Sequence, residues 1–175
     1  MILLRHGQSL FNLHFDATGV DPGHPDPPLT PLGERQAEAA AAALAHEAVG
    51  RILCSPYTRA LQTAAPVARR LGLPVTVTCA VRERRSASCD VGSARSALER
   101  AWPHHDFGAL DEVWWPHENE EEDAFRHRAA AFLAEMEGRP DRGETLVVCH
   151  WGFIHALTGQ SLANGTWLRC PAAGA

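Results

Sequence analysis

The chain has 175 residues, an apolar fraction of 45%, a charged fraction of 21% and a formal net charge of −5. These values predict one globular domain over residues 1–175, large enough to bury a full core. The negative balance disfavours nucleic acid or an anionic membrane as a partner, and no basic leader or run of about 18 apolar residues signals export or a membrane span.

Strands and helices alternate along the sequence. Met1 to Arg5 reads as a first buried strand. The Pro, Gly and Asp-rich stretch from Thr18 to Pro28 reads as a loop. Thr30-Pro31 is a cap followed by a first-turn proline, and Ala and Leu then continue at helical density to about Glu47. Arg51 to Cys54 is a short strand. Ser55-Pro56 repeats the cap-plus-proline signal and opens a helix to Leu71, closed by Gly72. Pro74 to Thr78 is β-branched and reads as a strand. Asn119 to Glu122 has the spacing of a capping box, with a helix running to Glu137 before Gly138. Thr145 to Cys149 is another buried strand, His150 to Leu157 a helix, and Asn164-Gly165 a turn. Thr166 to Cys170 reads as a last strand and Pro171 to Ala175 as a frayed tail. This alternation predicts an α/β layer architecture.

The chemistry-bearing residues fall at the carboxyl ends of these strands, where open α/β sheets bind ligands. Arg5 and His6 end the first strand, Arg59 follows the second, Glu83 lies beyond the third and His150 follows the fourth. An arginine offers a planar fork of donors to phosphate, and neutral imidazole is a nucleophile near pH 7. Gly7 lets the backbone come close to an anion. The chain has no lysine, because all 16 basic side chains are arginine. That excludes a Walker A lysine and a Schiff-base lysine. The five cysteines are scattered without a C-x-x-C pair, which favours reduced thiols in a cytoplasm over disulfides or zinc.

Together these segments resemble the histidine phosphatase superfamily, also called phosphoglycerate mutase-like. Leu4-Arg5-His6-Gly7-Gln8-Ser9 with Asn12 resembles its L-R-H-G-x-[ST]-x-x-N opening. Leu29-Thr30-Pro31-Leu32-Gly33 with Gln36-Ala37 resembles its L-T-x-x-G-x-x-Q-A segment. The run Ser55 to Ala64 resembles S-x-x-x-R-[AC]-x-x-T-A, Arg82-Glu83 the region of its acid, and Val147 to Gly152 its V-V-x-H-G-G segment. Trp151 departs from that last pattern by standing where glycine is common, which narrows the expected pocket wall. After Glu83 the chain lacks the aromatic-glycine pattern of the glycolytic mutases.

The resemblance implies a three-layer α/β/α sandwich with a mostly parallel sheet, and a metal-independent phosphomonoesterase without a cofactor. The substrate the resemblance implies is a small phosphorylated metabolite. His6 attacks phosphorus and is phosphorylated. Arg5, Asn12, Arg59 and a cationic His150 hold the phosphoryl oxygens. Glu83 protonates the leaving oxygen and then activates water. Phosphoglycerate mutase and a non-catalytic phosphate binder on the same fold are the alternatives.

Plainer roles compete at several positions. Arg59 can serve as a surface ion-pair partner, and Glu83 can neutralise Arg82, Arg84 and Arg85. Glu34 and Asp90 are the other candidate acids. The acidic run Glu118 to Asp123 suits a helix N-terminus without any function. His14, His24, His104, His105 and His117 have no metal-ligand spacing. The aromatic segment Trp102 to Trp115 is either core or a cap over the substrate mouth.

Overall fold

The computed structural model describes residues 1–170; the tail expected over Pro171 to Ala175 lies outside the described residues. Five strands form one sheet: β1 (Ile2–Arg5), β2 (Arg51–Cys54), β3 (Val75–Val77), β4 (Thr145–Cys149) and β5 (Trp167–Arg169), in the order β3-β2-β4-β1-β5. The first four are parallel and β5 runs antiparallel on the edge beside β1. Alternate residues of the inner strands go to opposite faces, as the pleat requires. Ile2, Leu4, Ile52, Leu146 and Val148 pack into one core with α2 (Pro31–Leu44) and α3 (Thr58–Leu71). Met1, Leu3, Val147 and Cys149 pack into a second core with α5 (Glu122–Glu137) and α6 (Trp151–Thr158). Both faces of the parallel sheet are therefore covered, giving the three-layer sandwich.

Two helices arise where no element was expected. α1 (Leu10–Thr18) opens on a capping box between Ser9 and Asn12 and buries none of its own residues, so no core-facing period marks it. α4 (Arg95–Ala101) is short and contributes only Leu98 to the core.

Two helix starts need correction. The helix expected to begin at Ser55-Pro56 begins at Thr58, and Ser55 instead turns its hydroxyl to His150. The capping box expected at Asn119 does not form, and α5 starts at Glu122. Despite its burial, Glu120 is held down at about 2 by hydrogen bonds from Arg128 and Arg82, so its carboxylate is already committed. The segment Trp102 to Trp115 resolves as core. Phe107, Leu110 and Trp114 are buried beneath α3, and Trp102 and Trp115 pack against them.

The register brings the strand ends together. Arg5 pairs with Cys149 and Cys54 with Val148, so the chain leaves β1, β2 and β4 side by side. The loop after β1 is pressed onto the start of α2. A Cβ on Gly7 would lie 2.4 Å from the Gly33 carbonyl oxygen, and one on Gly33 would lie 2.1 Å from that of Gln8. Gly7 also donates its N–H to Thr63 Oγ1 at 3.0 Å. The missing side chain thus also makes room for another backbone.

Candidate active site

His6 leaves β1 with its backbone N–H donated to the Cys149 carbonyl at 3.0 Å, which ties the β1 exit to β4. The side chain is buried, and Nδ1 lies 2.7 Å from the Gly7 carbonyl oxygen. A carbonyl can only accept, so Nδ1 carries the proton and Nε2 keeps its lone pair. Burial, then the Arg59 and Arg5 charges, hold the imidazole pKa well below its ordinary value. His6 is therefore neutral, with the lone pair of Nε2 left available.

His150 sits at the start of α6, fully buried, with its ring centroid 5.1 Å from that of His6. Nε2 is 2.7 Å from Ser55 Oγ, while buried Nδ1 has no partner. Burial, followed by Arg59 and His6, depresses its pKa strongly. Without an anion its surroundings keep His150 neutral, whereas an anion against Nδ1 would favour the charged form.

Arg59 occupies the first turn of α3 and is 3% exposed. One terminal nitrogen donates to the Cys89 carbonyl at 2.7 Å and the other approaches Asp90 Oδ1 at 3.3 Å. Its guanidinium lies 4.3 Å over the Tyr57 ring. Asp90 is fixed in turn by the backbone N–H groups of Ser86 and Ala87, and its carbonyl accepts the Tyr57 hydroxyl at 2.7 Å. Arg59 is consequently a clamped, inward cation and not a surface ion-pair partner. Arg5 donates to the Leu162 carbonyl at 2.6 Å, and its buried Nε is unpartnered. Asn12 accepts at Oδ1 from Ser9 and from Asn164 Nδ2, which leaves its own amide donors for other use.

Glu83 meets the site from the far side. Oε1 accepts from the Arg84 N–H and Oε2 from the Gly152 N–H, each at 2.9 Å. The flanking arginines turn away: Arg82 to Glu120, Arg84 to Glu122 and Arg85 to the Ala87 carbonyl. Burial raises the Glu83 pKa, opposed in part by the Arg84 N–H. A Cβ on residue 152 would lie 2.5 Å from Oε1, so the glycine of the β4 exit is what admits the carboxylate.

Arg5, His6, Asn12, Arg59 and Glu83 line one open cavity of about 1200 Å³. His150 lies buried beside His6, in edge contact with its ring. Asp90 also lines the cavity, but its carboxylate is spent on Arg59 and two backbone donors. Glu34, the other alternative acid, lies on a separate groove beside α3. Sequence reading missed Ser55, Tyr57 and Asp90 as supports of this constellation. Their only sequence signal is membership of the segments that carry Arg59 and Glu83. Among the described residues, no three His, Cys, Asp or Glu side chains are grouped so as to hold a metal ion.

A neutral imidazole, two guanidiniums and a carboxyl around one cavity suit a tetrahedral oxyanion and its leaving group. Comparison with known proteins agrees. The model of the "Histidine phosphatase superfamily (branch 1)" matches residues 1–169. A glucosyl-3-phosphoglycerate phosphatase of Mycolicibacterium vanbaalenii is 30% identical over 93% of this chain and 73% of its own length. An adenosylcobalamin/alpha-ribazole phosphatase of Salmonella typhimurium is 27% identical over 91% of this chain and 78% of its own. The native structure of a mycobacterial glucosyl-3-phosphoglycerate phosphatase superposes with a TM-score of 0.65 at 26% identity, covering 95% of this chain and 87% of that one.

Proposed function

The chain belongs to the histidine phosphatase superfamily, and from that premise we propose that its one domain, residues 1–175, hydrolyses a phosphomonoester through a phosphohistidine on His6. The observation that carries this reading is the Nδ1 contact of His6 with the Gly7 carbonyl, which reserves Nε2 for phosphorus. Nε2 forms a bond to phosphorus as the ester P–O bond breaks, and the leaving oxygen takes the proton of Glu83. Water then attacks the phosphohistidine, gives its proton to Glu83 and releases inorganic phosphate. Arg5, Arg59, His150 and the Asn12 amide surround the three phosphoryl oxygens. A guanidinium already fixed in place needs no reorganisation as charge develops. Asp90 and Ser55 position Arg59 and His150.

We read the enzyme more finely as of the histidine acid phosphatase type, because burial raises the pKa of Glu83, the proton donor. Its substrate is a small phosphorylated metabolite, and neither a metal nor a cofactor is required by the charges present. Hydrolysis is favoured over mutase chemistry because the relatives aligned over most of the chain are phosphatases. A cytoplasmic location fits its five free thiols. No helix among the described residues is long and apolar enough to cross a membrane.

Brief reaction with a radiolabelled phosphomonoester should place acid-labile, base-stable label on His6, and chelators should not prevent it. Label on another residue, or undiminished turnover in His6→Ala, would refute the assignment.

A further inference from the structure

The phosphoryl site fills only the inner end of the cavity, so the outer walls must be shaped for the leaving group. Two of those walls carry pre-stacked aromatic pairs. On α6, the Trp151 indole lies parallel to the His155 ring, at 5.3 Å between centroids and 3° between planes. The indole is pinned by Nε1 donating to Ser161 Oγ at 2.7 Å, yet Trp151 is 43% exposed. On α1, Phe11 and Phe15 stack at 5.4 Å and 11°. All four rings line the same cavity as His6. Fixed, solvent-facing rings beside a reacting centre are ready to cover a flat apolar face at little conformational cost.

The charges in the outer part narrow the choice further. Asp16, Asp21 and Glu122 face two guanidiniums, those of Arg84 and Arg126. Both guanidiniums are already committed to Glu122. A second anionic group on the substrate would therefore meet three carboxylates against two guanidiniums, both of which already share Glu122.

We propose that the outer cavity selects an uncharged, ring-bearing leaving group, stacked on Trp151 and facing Phe15, so that the preferred substrate carries its phosphate as its one anionic group. This deepens the phosphatase reading and rests on it. The ring can be an aromatic base or a sugar, since both present a flat face to an indole.

The test compares kcat/KM of the purified chain for a nucleoside 5′-monophosphate, a hexose 6-phosphate, glycerol phosphate and 3-phosphoglycerate. At least one ring-bearing substrate should exceed both acyclic ones, and the order of the two ring substrates identifies the source of the ring. In Trp151→Ala the ratio of ring-bearing to acyclic kcat/KM should fall by about fivefold or more, and Trp151→Phe should retain most of it. Phe15→Ala reads the same ratio from the opposite wall if the α6 variant does not fold. A ratio unmoved by either substitution, or 3-phosphoglycerate as the best substrate, would overturn this inference and leave the phosphatase reading standing. Absence of His6-dependent labelling and turnover with all four would overturn the phosphatase reading itself.

Discussion

At the scale of single residues, the arrangement around Glu83 makes the sharpest demand. Its two oxygens rest on backbone donors, its flanking arginines point elsewhere, and the space it occupies exists because residue 152 has no side chain. Glu83→Gln should slow single-turnover phosphorylation by an alkyl phosphate by about 10², and by a nitrophenyl phosphate much less, because that leaving group departs without a proton. Gly152→Ala should reproduce the same substrate-dependent pattern by displacing the carboxylate. Equal slowing with both esters would remove Glu83 as the proton donor. His6, Arg59, Glu83 and His150 were readable in the sequence because each follows a strand within a recognisable segment. Ser55 and Asp90 were not. Ser55 has the local spacing of a helix cap, and its actual partner is 95 residues away in the chain. Asp90 has the composition of a spare acid, and only the folded loop shows that Arg59 uses it.

Among the elements, the parallel strands were the easiest to read, since burial on both faces leaves continuous apolar runs such as Thr145–Cys149. α1 was invisible because it buries nothing, and the start of α5 was misplaced because Glu120 pairs with Arg82, 38 residues away, and with Arg128 in place of a local cap. The junction between the β1 loop and α2 gives a test at this scale. Gly33→Ala would drive a methyl group to 2.1 Å from a backbone oxygen that has no rotamer to move aside. The variant should lose about 3 kcal/mol of stability by denaturant midpoint, and should also lose activity, since the displaced loop carries His6. An unchanged midpoint would show that the two backbones can separate without cost.

For the molecule as a whole, the site places two histidines in the interior without charge. Their folded pKa values lie below the ordinary value of 6.5. Lowered pKa values contribute stability that is present above the unfolded value and is lost as pH falls toward the folded ones. Stability should therefore decline below pH 6.5, by up to about 1.4 kcal/mol per pH unit for each histidine. Glu83 acts in the opposite sense, because its raised pKa favours the folded state once it is protonated, but it is one group against two. Urea titrations between about pH 7.5 and 5.5 should show the decline (about one unit either side of the ordinary histidine value). Replacing His150 with Gln should flatten it, and an unaltered slope would place the proton uptake elsewhere.

The unpaired Nδ1 of His150 has one more consequence, for the end of the catalytic cycle. On the proposed mechanism, inorganic phosphate against that nitrogen would favour its protonation, so the product would be held together with a proton taken from solvent. Dissociation must return both. The grip on phosphate should accordingly tighten in acid and loosen in base, and phosphate inhibition measured against pH would show it.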